Sequence, residues 1–427
     1  MGLTSLYAGL SGLNAHAFQL SLIGNNLSNI NTPGYKSSNI AFEDLLSQTL
    51  TGGSSTGTIN FLQVGLGVRV GTTNQNFSQG SLQSTGNMTD VAIQGNGFFV
   101  VRSDEGVNYT RAGNFHVDAN GNLVTPDGAF VQGYTQRDPV TNQIITTGAL
   151  NDVNIHPGAL FPPISTSQAQ VVANLDADAA TTSKFMSSFR VFDSLGSAHQ
   201  IDVTWTKTGT GKYDYDVTVE GADVTGGTAG KPFSLLSSPG TMEFDTSGKL
   251  TKVDGAAAAD KNITTPAFTN GAAALTFSWD LIGTNGESNV TNYSAPSATS
   301  SSMQNGFPAG TLTSFVVGAD GTIQGLFTNG KTAELARIGL ATFNNPGGLL
   351  KMGGNKFNAS SASGEPSLGL PGQGGRGTTT GSTLELSNVD MAAEFINMIV
   401  AQRGYQANSR VITTTDEILQ ESLNLKR

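Results

Sequence analysis

Several short stretches of the chain carry residue types that could do chemistry. Gly53-Ser54-Ser55-Thr56-Gly57 spells a nucleophile elbow, in which a serine sits on a strained turn between a buried strand and a helix. No apolar strand precedes it, and its neighbours are Gly, Ser and Thr, so it reads as a polar linker. Thr210-Gly211-Lys212-Tyr213 resembles the end of a phosphate loop, but the required earlier Gly falls on Thr206 and the required hydroxyl position on Tyr213. A hairpin turn fits it better. Asp118-Ala119-Asn120-Gly121-Asn122 opens like a calcium loop, yet Leu123 and Ala129 stand where Gly and Glu are needed, which again leaves a turn. His16, His116, His156 and His199 have no metal-ligand spacing, and Asn-x-Ser/Thr triplets such as Asn108-Tyr109-Thr110 are expected by chance in such a chain. The reading is a protein with no catalytic residues, no cofactor and no metal.

What remains is the framework. The 427 residues exceed one ordinary core, so two or more domains are expected. The net charge of -10, with only 22 Lys and Arg, argues against nucleic acid and against anionic membranes. Charged residues reach only 13% and Gly 54, a profile of turn-rich β-structure with polar uncharged surfaces. Absence of Cys removes disulfides and thiolate sites, so stability outside a cell must come from packing or assembly. The first Lys or Arg is Lys36, so no cleavable secretory signal is expected, and no 18-residue apolar run predicts membrane insertion.

Leu3, Leu6, Leu10, Leu13, Ala17, Leu20, Gly24 and Leu27 recur at spacings of three and four and predict an amphipathic helix over 3–28. Asn25 to Tyr35, with Pro33-Gly34, ends it. At the far end Ser387 and Asp390 have capping-box spacing, and Phe395, Ile396, Ile399, Val400, Tyr405, Ile412, Leu419 and Leu423 predict a closing helix. Gly9, Gly12, Gly24 and Gly404 each cost up to about 1 kcal/mol relative to Ala, so neither helix is expected to stand alone. Small residues at Ala8, Gly9, Gly12, Ala15 and Ala17 would allow close helix approach.

Between the helices, Asp118 to Gly121, Pro126-Asp127-Gly128, Thr246-Ser247-Gly248 and Asp320-Gly321 punctuate short apolar runs like hairpin turns. Ile201, Val203 and Trp205, then Tyr213, Tyr215 and Val217, then Leu275, Phe277 and Trp279 alternate as half-buried strands. The fold class is therefore mixed α and all-β, with paired N- and C-terminal α-helices and nested all-β domains inserted between them. The expected boundaries are a terminal-helix domain at 1–30 and 385–427, an extended connector at 31–70 and 355–384, a first β-domain at 71–145 and 311–354, and an outer β-domain at 146–310.

Specific motifs sharpen this. Ser11-Gly12-Leu13-Asn14-Ala15 and Ile23 to Lys36, with Leu386 to Met391, Val400 to Asn408 and Val411 to Glu417, resemble the two terminal signatures of the axial proteins of the bacterial flagellum. Asp90 to Phe99 and Tyr109 to Phe115 resemble the first-domain block that hook and distal rod members share. Length, together with Phe192-Asp193-Ser194-Leu195-Gly196, Gln304 to Gly310 and Asn329-Gly330, favours the hook branch. That resemblance implies paired helices lining a central channel, with a first β-domain outside them and a second outermost. It implies a structural subunit of the flagellar hook, a hollow helical tube acting as a flexible joint between rod and filament. A distal rod protein or a secreted adhesin-like β-protein are the alternatives. The implied partners are further copies of the chain, the distal rod, hook cap and hook-filament junction proteins, and the flagellar export apparatus. The implied location is the extracellular hook, reached through the flagellar secretion channel. The interface residues expected are Leu3, Leu6, Leu10, Leu13, Leu20, Leu27, Phe395, Ile399, Ile412, Leu419 and Leu423.

Overall fold

The computed structural model describes residues 2–50, 62–138, 143–283 and 286–424. The chain divides into two compact units. One comprises Met1–Pro157, Ser314–Gly325 and Thr332–Arg427, the other Gly158–Thr313 and Leu326–Lys331.

The first unit begins with helix α1, Gly2–Ser28, and ends with helix α2, Met391–Asn424. Neither is apolar enough to cross a membrane. They run antiparallel, because Gly9 lies against Ile412, Gly12 against Asn408, His16 against Gly404, and Asn26 bonds Glu394. α2 is capped by Asp390, whose Oδ1 accepts the amides of Ala392 at 2.9 Å and Ala393 at 3.2 Å. The cap is thus Asp390 itself, three residues beyond the serine that the capping-box spacing put there. Ser387 Oγ instead accepts the Val389 amide at 3.3 Å, within the approach to the helix.

The β-structure of this unit draws on both halves of the chain. Strand Phe98–Ser103 pairs antiparallel with Gly106–Thr110, Phe130–Tyr134 and Leu340–Thr342, and Gly106–Thr110 pairs in turn with Lys356–Asn358. Val91–Gln94 takes Thr378–Gly381, and Leu82–Ser84 takes Thr383–Glu385. The core between them holds Phe98, Val100, Tyr109, Ala341, Phe343, Leu349 and Phe357. Its rings meet edge-on, Tyr109 to Phe343 at 4.8 Å and Phe98 to Phe343 at 5.9 Å, the arrangement that ring quadrupoles favour.

The second unit is a β-sandwich. One sheet carries the long antiparallel strands Lys184–Phe192, Ala198–Gly209 and Lys212–Glu220, extended by Gly240–Phe244 and Leu250–Val253. The other centres on Gln168–Asn174, parallel to Thr276–Asp280 and Val290–Thr291 and antiparallel to Ala298–Gln304. Ile201, Val203, Trp205, Tyr213, Tyr215, Val217, Leu275, Phe277 and Trp279, read as alternating strand positions, are all buried in one core. The phosphate-loop letters form the tight turn between Ala198–Gly209 and Lys212–Glu220, with Gly211 at φ +63°. The nucleophile-elbow letters lie outside the described residues.

Candidate assembly surface and its anchor

The face α1 turns to α2 runs through Gly9, Gly12, Ala15, Ile23 and Asn26, all buried. It lies one position round from the expected leucine stripe. A methyl group on Gly12 would sit 2.7 Å from Asn408 Nδ2, and one on Gly404 2.5 Å from His16 Nε2, so these glycines set the close approach. Opposite them, Glu394, Ala401 and Thr415 are the buried positions of α2 among the described residues.

Displacing the seam by one residue leaves the predicted stripe at its margins. Leu6, Leu13, Leu20, Leu27 and Ile412 are half-buried along its flanks, whereas Leu10 is exposed. The side chain of Leu3 lies outside the described residues. On α2, Phe395 is 50% exposed, Ile399 57%, Leu419 36% and Leu423 70%. Beside them Ile396 is 62% and Val400 59% exposed. Positions 395, 396, 399 and 400 fall on one side of the helix, away from the seam, and form a single apolar face. Among the described residues it stays exposed.

The base of the helix pair is held by polar bonds that a stripe analysis does not see. Asn26 Nδ2 donates to Glu394 Oε1 at 2.8 Å and to Ser38 O at 2.9 Å, and its Oδ1 accepts the Ser38 amide at 3.1 Å and the Tyr35 hydroxyl at 3.3 Å. Burial, then the nearby Glu394 carboxylate, pushes the Tyr35 phenol up. Asn388 Oδ1 accepts the Ser37 amide at 2.8 Å, and its Nδ2 donates to Asn76 O at 2.7 Å. Gly34, at φ +68°, packs so closely that a Cβ would lie 2.6 Å from Ala112 N.

Beneath this lies a buried ionic cluster. Glu385 receives Lys36 Nζ at 2.7 Å, Arg111 Nε at 2.6 Å and the Gly80 amide at 2.8 Å, all three charged side chains being nearly inaccessible. Lys36 also donates to Ser78 O at 2.7 Å, and Arg111 to the carbonyls of Ile93, Gly95 and Gly97. Three segments, at 36, 93–111 and 385, are thereby tied together where the chain leaves α1 and enters α2. Their sequence separation, 349 residues for Lys36 and Glu385, hid the cluster from sequence reasoning. The one available signal was that all three fall inside or beside the resemblance motifs.

The other candidate groups are structural. Asp118 Oδ1 accepts the amides of Asn120 and Asn122, both at 2.8 Å, as a turn does. His16 sits in the helix seam. His199 stacks on Phe268 at 3.9 Å, with its ring nitrogens 3.0 Å from Asp193 and 2.9 Å from Asp223, and so joins three loops of the sandwich. Among the described residues no group of three or more His, Cys, Asp or Glu could hold a metal.

Comparison with known proteins accounts for nearly the whole chain. Residues 6–36 match the family model "Flagella basal body rod protein" and 381–425 "Flagellar basal body rod FlgEFG protein C-terminal". Residues 92–167 match "Flagellar hook protein FlgE/F/G D1 domain" and 164–307 "Flagellar basal body protein FlaE D2 domain". The chain is 38% identical to the flagellar hook protein FlgE of Escherichia coli, over 98% of each chain, and 33% identical to that of Treponema pallidum, over 99% of each. A solved hook protein FlgE2 of Helicobacter pylori superposes with TM-score 0.48 at 14% identity, covering 70% of this chain and 99% of that one, too loose a likeness to carry an argument. Length does not separate hook from rod: the rod protein FlgG of Bacillus subtilis is 29% identical over 100% of both chains. The hook relatives are the more similar, and the chain belongs to the flagellar hook proteins, structural subunits of the bacterial flagellar hook.

Proposed function

We propose that this subunit polymerises into a hollow helical tube by packing the exposed faces of α1 and α2 against neighbouring copies. The observation that carries this is the apolar face of Phe395, Ile396, Ile399 and Val400, each at least half exposed. Contiguous apolar surface of this kind marks an interaction site. Leu3, Leu6, Leu10, Leu13, Leu20, Leu27, Ile412, Leu419 and Leu423 complete the interface. A heterologous contact whose rotation does not close generates a helix rather than a ring.

The same reading divides the labour along the chain. The helices at 1–30 and 385–427 hold the tube, the segments 31–70 and 355–384 connect, and the β-domains at 71–145 with 311–354 and at 146–310 slide as the tube bends. Sparse charge suits sliding contacts, because uncharged polar groups can change partners without leaving a buried charge unpaired. The tube serves as a flexible joint outside the cell between rod and filament, is reached through the flagellar export apparatus, and meets distal rod, hook cap and junction proteins at its ends. It needs no cofactor and catalyses nothing. Electron microscopy of the full chain beside an Ile396→Asp/Val400→Asp variant tests this. Both positions are exposed in the monomer, so the variant should stay folded and form no tubes; tubes from the variant would refute the assignment.

A further inference from the structure

We propose that the cavity beside the Lys36, Arg111 and Glu385 cluster binds a carboxylate that carries an apolar group. The cavity measures about 380 Å³ and is lined by Lys36, Arg111, Phe77, Phe98, Phe343 and the loop residue Asn96, among others. Lys36, Arg111, Phe98 and Phe343 are buried, while Asn96, Gly374 and Gly375 are exposed at its rim. It therefore has a cationic, aromatic floor and an open mouth.

Charge is the first argument. Two cations share one carboxylate, and among the described residues no acidic side chain lines the cavity, so the cluster carries a net charge of +1 beside it. Buried charge left uncompensated is costly. The second is the donor count. An ammonium has three N–H and a guanidinium five. Lys36 uses two, to Ser78 O and Glu385, and Arg111 four, to Glu385 and three carbonyls. One hydrogen remains on each of two cations that line the same space. Burial lowers the Lys36 ammonium despite Glu385, and the Arg111 charge adds to the lowering, a tension that an anion in the cavity would relieve. Finally, the phenylalanine rings exclude a bare hydrated ion and favour an apolar group attached to the carboxylate.

The carboxylate could come from a small solute or from an acidic side chain of a second copy, since the chain has 32 Asp and Glu against 22 Lys and Arg. The test uses the full-length protein with sodium benzoate, neutral benzamide and sodium chloride at matched ionic strength, read by calorimetry and thermal denaturation. Benzoate should bind one-to-one and raise Tm, and benzamide and chloride should not. Asn96→Asp, an exposed substitution that places a carboxylate at the rim, should weaken benzoate binding at least tenfold. Binding to monomer but not to assembled tubes identifies a neighbouring copy as the source, and equal binding to both identifies a solute. Equal responses to benzoate and benzamide, or unchanged benzoate affinity in Asn96→Asp, would overturn the proposal.

Discussion

Replacing Ile399 by alanine should raise the concentration of free subunit in equilibrium with polymer by about tenfold while leaving the monomer's melting temperature nearly unchanged. Truncation removes three carbons, worth together about 2.4 kcal/mol at about 0.8 kcal/mol per CH2 if all their surface moved from water into a contact. Ile399 is 57% exposed in the single chain, so the share still available for burial between subunits is about 1.4 kcal/mol, a factor of about ten. Alanine is also the better helix former, by a few tenths of a kcal/mol, which trims the effect if α2 orders on assembly. The assay is pelleting of polymer across a concentration series, with the supernatant concentration read at equilibrium. An unchanged supernatant concentration alongside an unchanged monomer melt would show that this face is not buried between subunits. A large fall in monomer stability would show instead that Ile399 packs within its own chain.

Three further outcomes follow from the interior. Glu385→Gln leaves Lys36 and Arg111 without their buried counter-charge and should destabilise the first unit by about 3–5 kcal/mol in denaturant titration, a loss that exposed ion pairs such as Arg69 with Glu43 would not show. Gly34→Ala combines a positive φ with a Cβ 2.6 Å from Ala112 N and should cost at least about 2 kcal/mol; a neutral result would mean the turn can relax. Acid should loosen the sandwich. Burial alone would raise Asp193, but bonds from Asn270, His199 and the amides of Ser197 and Leu195 hold it below the usual carboxylate range. Asp254 is likewise held down against its burial, by Lys261, the Thr241 amide and Tyr215. A depressed carboxylate contributes stability that is present above its unfolded value, about 4, and lost as pH falls through the folded value. Both tryptophans, Trp205 and Trp279, are buried in this unit, so their fluorescence should report a midpoint of unfolding that drops below pH 4. A midpoint flat from pH 6 to 3 would remove these carboxylates from the account.

How much of this was legible in the sequence depended on how local the cause was. Alternation at Ile201, Val203 and Trp205 predicted a strand face because a pleated strand points every second residue one way, and the same register carries His199 and Lys207 inward at its two ends. Those two were passed over as polar, although extending the period by one step on each side would have included them. Both helices were visible in their spacing, and on α1 the small residues Gly9, Gly12 and Ala15 already pointed to a close helix approach. What the spacing did not reveal was the other side of the contact, Ala401 and Gly404 on α2, where small side chains again let the antiparallel helices approach closely. The apolar residues then flank the seam or face outward. The Lys36, Arg111 and Glu385 cluster had no local signature at all, since each residue taken singly reads as solvated surface.

The most direct test of the assembly account is a cryo-electron microscopy reconstruction of tubes grown from the full-length chain. The account predicts that Phe395, Ile396, Ile399 and Val400 are buried against helices of neighbouring copies while the Asn26 to Glu394 bond and the antiparallel seam of α1 and α2 persist within each subunit. A tube held together by its β-domains, with that face of α2 open to water, would contradict it.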